Sequence, residues 1–469
     1  MSEKKYSILK AASWYTVGNI LIKGVSFFVL PIFTRLMSTH EYGIYSVYCS
    51  YLMIFETVIL LGLSATVPLA KYAKEVKFDS YISTIIAIPS LLAIFCMVGT
   101  NVAIPIIGDI LSMDRTLWNC LFISAGAGAV CSIIGARLVI DGRYKLYMIL
   151  SALQTIGNVV ISLLLAYTVY IEHDVHLARV YGSTAATILG MGYIILATKT
   201  CFSLNRINTK YALAWGIPLL FHTVATVVLT QSDRILIQNI DSYSSAGIYA
   251  VATTMISIPL VLQQSFGQAW LPWFYGKLDA KDYKQIRWLN NRYIMLYGVI
   301  IAVFMLLVPD LIHILTAQSY WPCIYSLVPL AISVFAELMY SIPTSVEYYN
   351  KKTTYIMIAT LITMVLNIVL DVAFIKGFGY HGAAYATTLS KIFLFLIHLR
   401  FAFRLDKNVM FSGKITVFCF VTLTMLNVII VTTVDMIFVR YTILVAMLSL
   451  AGWYSLQNKE LVLSKMREK

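Results

Sequence analysis

Apolar runs of about 20 residues recur along this 469-residue chain, separated only by short polar stretches. A helix rises 1.5 Å per residue, so each run has the length that crosses a ~30 Å hydrocarbon layer. Lipid offers the backbone no hydrogen-bond partners, which restricts spanning segments to helices or strands of a closed barrel, and runs this long select helices. The spans fall at 12–33, 43–63, 80–107, 117–136, 147–170, 178–197, 211–232, 246–265, 290–309, 321–342, 354–375, 380–399, 414–433 and 436–456. Only 12% of residues are charged, against 59% hydrophobic, half the charge of an ordinary soluble domain. The sequence therefore predicts an all-α membrane protein with about 14 transmembrane helices.

The net charge of +13 orients the chain and calls for no nucleic acid. With the N-terminus inside, 27 of the 35 Lys and Arg fall on cytoplasmic segments or the span ends that adjoin them, and Lys23 and Lys391 fall deep within spans. The opposite segments and the span ends that adjoin them carry only Arg35, Arg115, Arg179, Arg234, Lys376 and Arg440. Such a split follows the positive-inside rule, and a miscounted span would invert it downstream of the error. Both termini are expected in the cytoplasm. The first run is too long for a signal peptide and no small-residue cleavage site closes it, so it is expected to stay as a helix.

Several chemistries find no support. The Gly-Lys pairs at 276–277 and 413–414 lack the upstream glycine and the hydroxyl of a phosphate-binding loop, so no ATP-binding motif is present. Seven cysteines sit in or beside spans with no Cys-x-x-Cys pair, which fits packing rather than metal binding. His173 and His176 with Asp174 between them read as a solvated loop. The longest loop, roughly 266–289, is placed in the cytoplasm and the outer loops are short, which argues against an enzyme that builds glycans outside. No catalytic or metal-ligating residue is assigned.

The chain also repeats itself. Gly43-Ile-Tyr opens the second span and Gly247-Ile-Tyr the eighth; Gly182 opens the sixth and Gly382 the twelfth; Asn158-Val-Val-Ile answers Asn367-Ile-Val-Leu. Each match joins span n to span n+6 at an offset of 200 to 209 residues. Six is even, so both halves cross in the same sense and are related by an axis along the membrane normal, with a cavity expected between them. The expected organisation is an N-lobe of spans 1–6 (residues 1–205), a C-lobe of spans 7–12 (206–405), and two extra C-terminal helices with a tail (406–469).

Polar side chains at membrane depth face the bundle interior or water. Thr16, Asn19, Lys23 and Ser26 share a face of the first span; Ser46, Cys49, Ser50, Glu56 and Thr57 mark the second. His222, Thr226, Thr230 and Asp233 line the seventh, with Arg234 beside them. Ser151, Gln154, Asn158 and Ser162 in the fifth match Thr360, Thr363, Asn367 and Asp371 in the eleventh, and the twelfth carries Thr388, Lys391 and His398. A mid-span lysine costs about 2.5–3.5 kcal/mol on insertion scales. Lys23 and Lys391 are therefore expected either to line a cavity as cations or to form ion pairs, with Glu56 or Asp371 as partner. The cavity-lining set is Lys23, Asn19, Glu56, His222, Asp233, Arg234, Asn367, Asp371 and Lys391. Pro31, Pro218 and Pro259 lie within or near the ends of spans 1, 7 and 8 and mark candidate gating bends.

Leu30-Pro-Ile-Phe-Thr-Arg-Leu-Met-Ser-Thr-His-Glu-Tyr-Gly-Ile-Tyr45 resembles the helix 1–2 signature of Wzx-type polysaccharide flippases. So do Asp233-Arg followed by Gly247-Ile-Tyr, Ala269-Trp-Leu-Pro-Trp, Tyr348-Tyr-Asn-Lys-Lys-Thr353 and Gly382-Ala-Ala-Tyr-Ala-Thr. These flippases belong to the multidrug/oligosaccharidyl-lipid/polysaccharide exporter superfamily. The resemblance implies two six-helix lobes around a V-shaped, often cationic cavity. It also implies outward movement of undecaprenyl-diphosphate-linked oligosaccharide units across the bacterial cytoplasmic (inner) membrane, for O-antigen or capsule synthesis. Partners would include the polysaccharide polymerase and chain-length machinery. The drug-extruder branch carries an acidic ion site in its first helix, where this chain has Lys23.

The expected function is thus a flippase working by alternating access, without a cofactor. Coupling is expected to a proton or sodium gradient or to the membrane potential alone, with Glu56, Asp371 and Glu337 as acidic candidates. If Glu56 faces Lys23, a static pair is expected there; if it stands alone, proton exchange is. The rival readings are a multidrug or small-molecule efflux transporter, which cavity lysines would disfavour for cations, and an integral-membrane glycan polymerase or ligase.

Overall fold

The computed structural model describes residues 28–107, 113–170, 173–408 and 410–457. Asn19, Lys23 and their face of the first span, with any contact between Lys23 and Glu56, lie outside the described residues. Only residues 28–36 of the first span are described as helix, α1. There follow α2 (Thr39–Leu60), a short α3 (Val67–Tyr72), α4 (Phe78–Ile107), α5 (Arg115–Ile140), α6 (Tyr144–Thr168) and α7 (Val175–Thr198). The second half holds α8 (Arg206–Ile240), α9 (Tyr243–Met255), α10 (Ser257–Asp279), α11 (Tyr283–Leu315), α12 (Ile324–Tyr349), α13 (Thr353–Phe378) and α14 (Tyr380–Leu405). The chain continues with α15 (Gly413–Thr432) and α16 (Ile437–Gln457). Among the described residues, 12 helices are long and apolar enough to cross a membrane, and they coincide with expected spans 2 to 13. With α1 and α16 at the places of the first and last spans, the all-α, multi-pass architecture is that read from the hydropathy.

Two boundaries differ. The expected long loop at 266–289 is mostly helix: α10 runs on to Asp279 and α11 starts at Tyr283. An aromatic seam holds the two together. Phe266 stacks on Tyr293 at 3.8 Å between ring centroids, and the Trp270 indole donates to Asn290 Oδ1 at 2.9 Å. Asp282 accepts from Gln285 N and caps α11. Hydropathy falls here, but helix-forming contacts do not. Likewise α8 continues past 232 to Ile240, so Asp233 and Arg234 lie inside a helix rather than at its end. At Pro259, which has no N–H for the Met255 carbonyl, the eighth span divides into α9 and α10.

Helix packing carries the repeat. The pairs α2–α5, α4–α5, α5–α7 and α6–α7 recur as α9–α12, α11–α12, α12–α14 and α13–α14, each shifted by six spans. Ser38 caps α2 with a reciprocal Glu41 bond, and Ser242 caps α9, 204 residues later. Five residues beyond each cap stand Gly43 and Gly247, and these repeat partners touch one another. A Cβ on Gly43 would collide with the Tyr243 carbonyl, and one on Gly247 with the Thr39 carbonyl. A residue meets its own repeat partner only where the relating axis passes, so the axis runs between these two glycines. Because lipid supplies little hydrophobic drive between helices, such close backbone approach is what binds them.

A second backbone contact lies at the opposite end. Gly216 of α8 packs on Leu61 and Gly62, where a Cβ on Gly216 would sit 2.5 Å from the Leu61 carbonyl oxygen. Asn208 donates to Ser80 and Thr84 of α4 at 3.1 and 3.2 Å. Past Pro218, α8 still touches α2, where Ser50 Oγ donates to Gln231 Oε1 at 3.2 Å, and it also packs on α13. One helix thus joins the two halves, with Pro218 inside it. Residues α15 and α16 add to the outside of α11, where the buried Arg440 binds Asp310 with two nitrogens at 2.8 and 3.0 Å.

Gly43→Leu is expected to lower thermal stability by about 1–3 kcal/mol, the cost of overpacking a close contact. Gly99, whose Cβ position meets nothing within 4 Å, is the control. Gly99→Leu should leave the unfolding midpoint of the detergent-purified protein unchanged or raised.

Candidate functional site

Beneath the Gly43–Gly247 contact lies a cavity of ≈350 Å³ between the two halves. Leu30 and Phe33 of α1, Tyr42, Tyr45, Ser46 and Cys49 of α2, and Gln154 and Asn158 of α6 contribute to its wall. So do Arg179 of α7, Arg234 of α8 and Thr254 of α9, and no carboxylate is among the lining residues. Arg179 lies over the Phe33 ring at 3.9 Å and the Tyr45 ring at 4.6 Å, so two aromatic faces hold the guanidinium flat. Its Nη2 donates to the Tyr45 hydroxyl at 3.2 Å, whereas Nε and Nη1 are buried without a hydrogen-bond partner among the described residues. Arg234 donates to Gln231 Oε1 at 2.9 Å and Thr253 Oγ1 at 2.6 Å, both neutral acceptors. Neither arginine has an ion-pair partner among the described residues. Two guanidiniums with spare donors in a partly dry pocket attract an anion, and their planar forks suit phosphate or carboxylate oxygens.

A second polar cluster is dry. Asp233 of α8 and Asp371 and Asn367 of α13 are 5%, 0% and 0% exposed. One Asp233 oxygen accepts from the Tyr249 hydroxyl and from Thr387 Oγ1, the latter at 2.8 Å. The other oxygen, both carboxylate oxygens of Asp371 and both polar atoms of Asn367 have no hydrogen-bond partner among the described residues. The Asp371 carboxyl meets that of Asp233, so a proton held by one can be shared with the other. Two facing carboxylates cannot both stay ionised in a dry interior without a counter-charge. Hard oxygen donors from two aspartates, an asparagine and a threonine suit a hard cation.

Lys391 lies one turn further along α14 from Thr387. It is 8% exposed and pairs with Glu337 of α12 at 3.0 Å, not with Glu56 or Asp371. Glu337 sits at the middle of α12 rather than near its end, because that helix continues to Tyr349. Deeper on the same two helices, His398 Nδ1 lies 3.0 Å from both oxygens of Glu347, and both residues are almost fully buried.

Of the expected cavity residues, Arg234 lines the cavity, as do Gln154 and Asn158 from the polar stripe of the fifth span. Asp233, Asn367 and Asp371 gather in the dry cluster instead, and Lys391 in an ion pair. Glu56 packs against α5 where Gly128 makes room, and among the described residues it has no ion-pair partner. His222 is partly exposed on α8, with Nδ1 buried and unpartnered among the described residues. Arg179 escaped the sequence reading because it falls at the edge of an expected span and counts there as an interfacial charge. Tyr249, Thr387 and Glu347 escaped because a hydroxyl or acid within a span does not reveal its partner helix.

The sequence profile of the family described as "Polysaccharide biosynthesis protein" matches residues 8–276, more than half of the chain. A protein of the Lsg locus of Haemophilus influenzae is 22% identical over 410 residues, covering 83% of this chain and 98% of that protein. Among solved structures, the lipid II flippase MurJ in an inward closed conformation superposes with a TM-score of 0.74. That match has 18% identity and covers 96% of this chain and 99% of MurJ. An inward-facing multidrug resistance MATE family transporter of the MOP superfamily gives 0.63 at 11% identity, over 82% of this chain and 95% of its own. The chain belongs to the polysaccharide biosynthesis protein family and is built on the fold that MurJ and the MATE transporter share.

Proposed function

We propose that the protein flips undecaprenyl-diphosphate-linked oligosaccharide units from the cytoplasmic to the outer leaflet of the bacterial inner membrane, with both termini in the cytoplasm. The observation that carries this is the pair of guanidiniums of Arg179 and Arg234, without an ion-pair partner among the described residues, in a cavity between the two halves. A diphosphate bearing sugars cannot cross ~30 Å of hydrocarbon unaided. The arginines replace the water that solvates the diphosphate, and Gln154, Asn158, Ser46 and Thr254 offer hydrogen bonds to sugar hydroxyls, while the polyprenyl tail stays in lipid. On this reading the Gly43 end faces outward and the Gly216–Gly62 contact faces the cytoplasm. Alternation then means breaking one backbone contact while keeping the other, with α8 pivoting at Pro218.

The coupling cation, proton or sodium, is placed on this reading at Asp233 and Asp371 rather than at Glu56. Efflux of cationic drugs is disfavoured, because two arginines in the cavity repel cations. A glycan polymerase or ligase is disfavoured by the short outward connections between described helices, such as 241–242, 379 and 433–436.

Flipping of the lipid-linked oligosaccharide in proteoliposomes tests the assignment. Arg179→Gln/Arg234→Gln is expected to lower the rate at least about 100-fold, since each charge-assisted phosphate contact contributes roughly 1.5–3 kcal/mol. A doubly substituted protein that flips at the wild-type rate would remove the anion-binding role.

A further inference from the structure

The helices outside the repeat reveal what its outer face can hold. In the second half, α15 packs on α11 and α12, and its Phe420 also touches Phe395 of α14. Cys419 of α15 lies against Gly298 of α11, where a Cβ would come within 3.2 Å of the sulfur. Phe420 meets Phe335 of α12 edge to face, at 5.0 Å between ring centroids. The buried residues of α15 include Thr416, Cys419, Leu423, Leu426 and Ile430, at spacings of 3, 4, 3 and 4. That is the stripe of a helix laid along other helices, with small side chains admitting close backbone approach.

The corresponding helices of the first half are α4, α5 and α7, and among the described residues no helix covers their outer face. Between them runs an apolar groove of ≈200 Å³, whose walls include Ala93, Ile94 and Met97 of α4, Ile123 and Gly126 of α5, and Ile188 of α7. Helices α5 and α12 are both 26 residues long and correspond at an offset of 209, the offset that relates Asn158 to Asn367. At that offset Ile123, 40% exposed, answers Ile332, 5% exposed. Gly126 answers Phe335, so the ring that meets Phe420 in the second half is replaced by room for an incoming side chain. The counterpart face packs a helix, which argues for a helix here rather than a lipid chain. A second copy of this chain fits poorly, because a two-fold pair would set one concave groove against another. We propose that the groove between α4, α5 and α7 is the docking seat for a transmembrane helix of another protein in the same membrane. The partner helix carries an uncharged stripe of small and branched apolar residues spaced like that of α15.

A synthetic peptide of residues 411–435, which contains α15, is the probe. It is mixed in liposomes with the purified full-length protein carrying photoreactive benzoylphenylalanine in place of Ile188. The protein's own α15, being tethered, keeps its seat against the free peptide. The peptide is expected to cross-link at position 188, and Ile94→Trp, which fills the groove, to weaken its binding about 10-fold. Phe95→Trp, at an exposed position of α4 outside the groove, should leave binding unchanged. In native membranes the same cross-linker should give one protein adduct that the peptide displaces. Equal labelling by a peptide of scrambled sequence, adducts with lipid alone, or cross-linked pairs of this chain would overturn the proposal. Native membranes that yield no protein adduct would overturn it too. Each of these outcomes leaves the roles of Arg179 and Arg234 standing.

Discussion

Hydrocarbon does not solvate charge, and each charge set inside these helices is placed where another group answers it. Arg440 ties α16 to α11 through Asp310, Lys391 ties α14 to α12 through Glu337, and His398 with Glu347 does so again deeper on the same pair. These bonds do structural work, since breaking one partner of a buried pair leaves an uncompensated charge. Three places depart from the pattern. Among the described residues, Glu56 has no ion-pair partner, Arg179 and Arg234 carry positive charge without one, and the acids Asp233 and Asp371 also have none. The functional reading follows from the last two of these departures.

The departures also divide the molecule unevenly. The scaffold is a repeat, with the same helix pairs packing in each half and Gly43 meeting Gly247 at the axis. Onto it the first half sets a polar stripe, Gln154 and Asn158, that faces the cavity. The second half sets the matching stripe, Asn367 and Asp371, into a dry seam against α8 and α14. A transporter needs a place for its cargo and a separate place for whatever drives it. On the proposed reading the two stripes, alike in spacing, supply one of each. On the same reading the backbone contacts at Gly43–Gly247 and Gly62–Gly216, each a close contact between halves rather than within one, open in turn.

Much of the architecture was legible because the bilayer imposes it. Helix length and the side on which lysine and arginine collect are dictated by thickness and by insertion, so the spans and their order could be read directly. The matching Gly43 and Gly247 were legible as a pair, and they meet in the structure, where a backbone contact this close tolerates no Cβ. The site was less so. Hydropathy falls at the first charge, whereas a helix goes on wherever a partner waits; thus Asp233, Arg234 and Arg179 read as span ends and the α10 aromatic seam as a loop. Stripe spacing identifies a polar face but not what it faces: Asn158 and Asn367 match in register, yet one lines a cavity and the other is dry. Nothing in the sequence sets the relative height of α12 and α14, which decides that Lys391 meets Glu337.

The account stands on an anionic headgroup occupying the cavity between Arg179 and Arg234. A cryo-electron microscopy structure of the full-length protein in lipid nanodiscs, with undecaprenyl-diphosphate-linked oligosaccharide bound, reads this directly. The account predicts diphosphate density within hydrogen-bond distance of both guanidiniums, sugars against Gln154 and Asn158, and the polyprenyl chain leaving toward lipid. Diphosphate density on the lipid-facing surface, or in the cavity but beyond reach of both arginines, would contradict it.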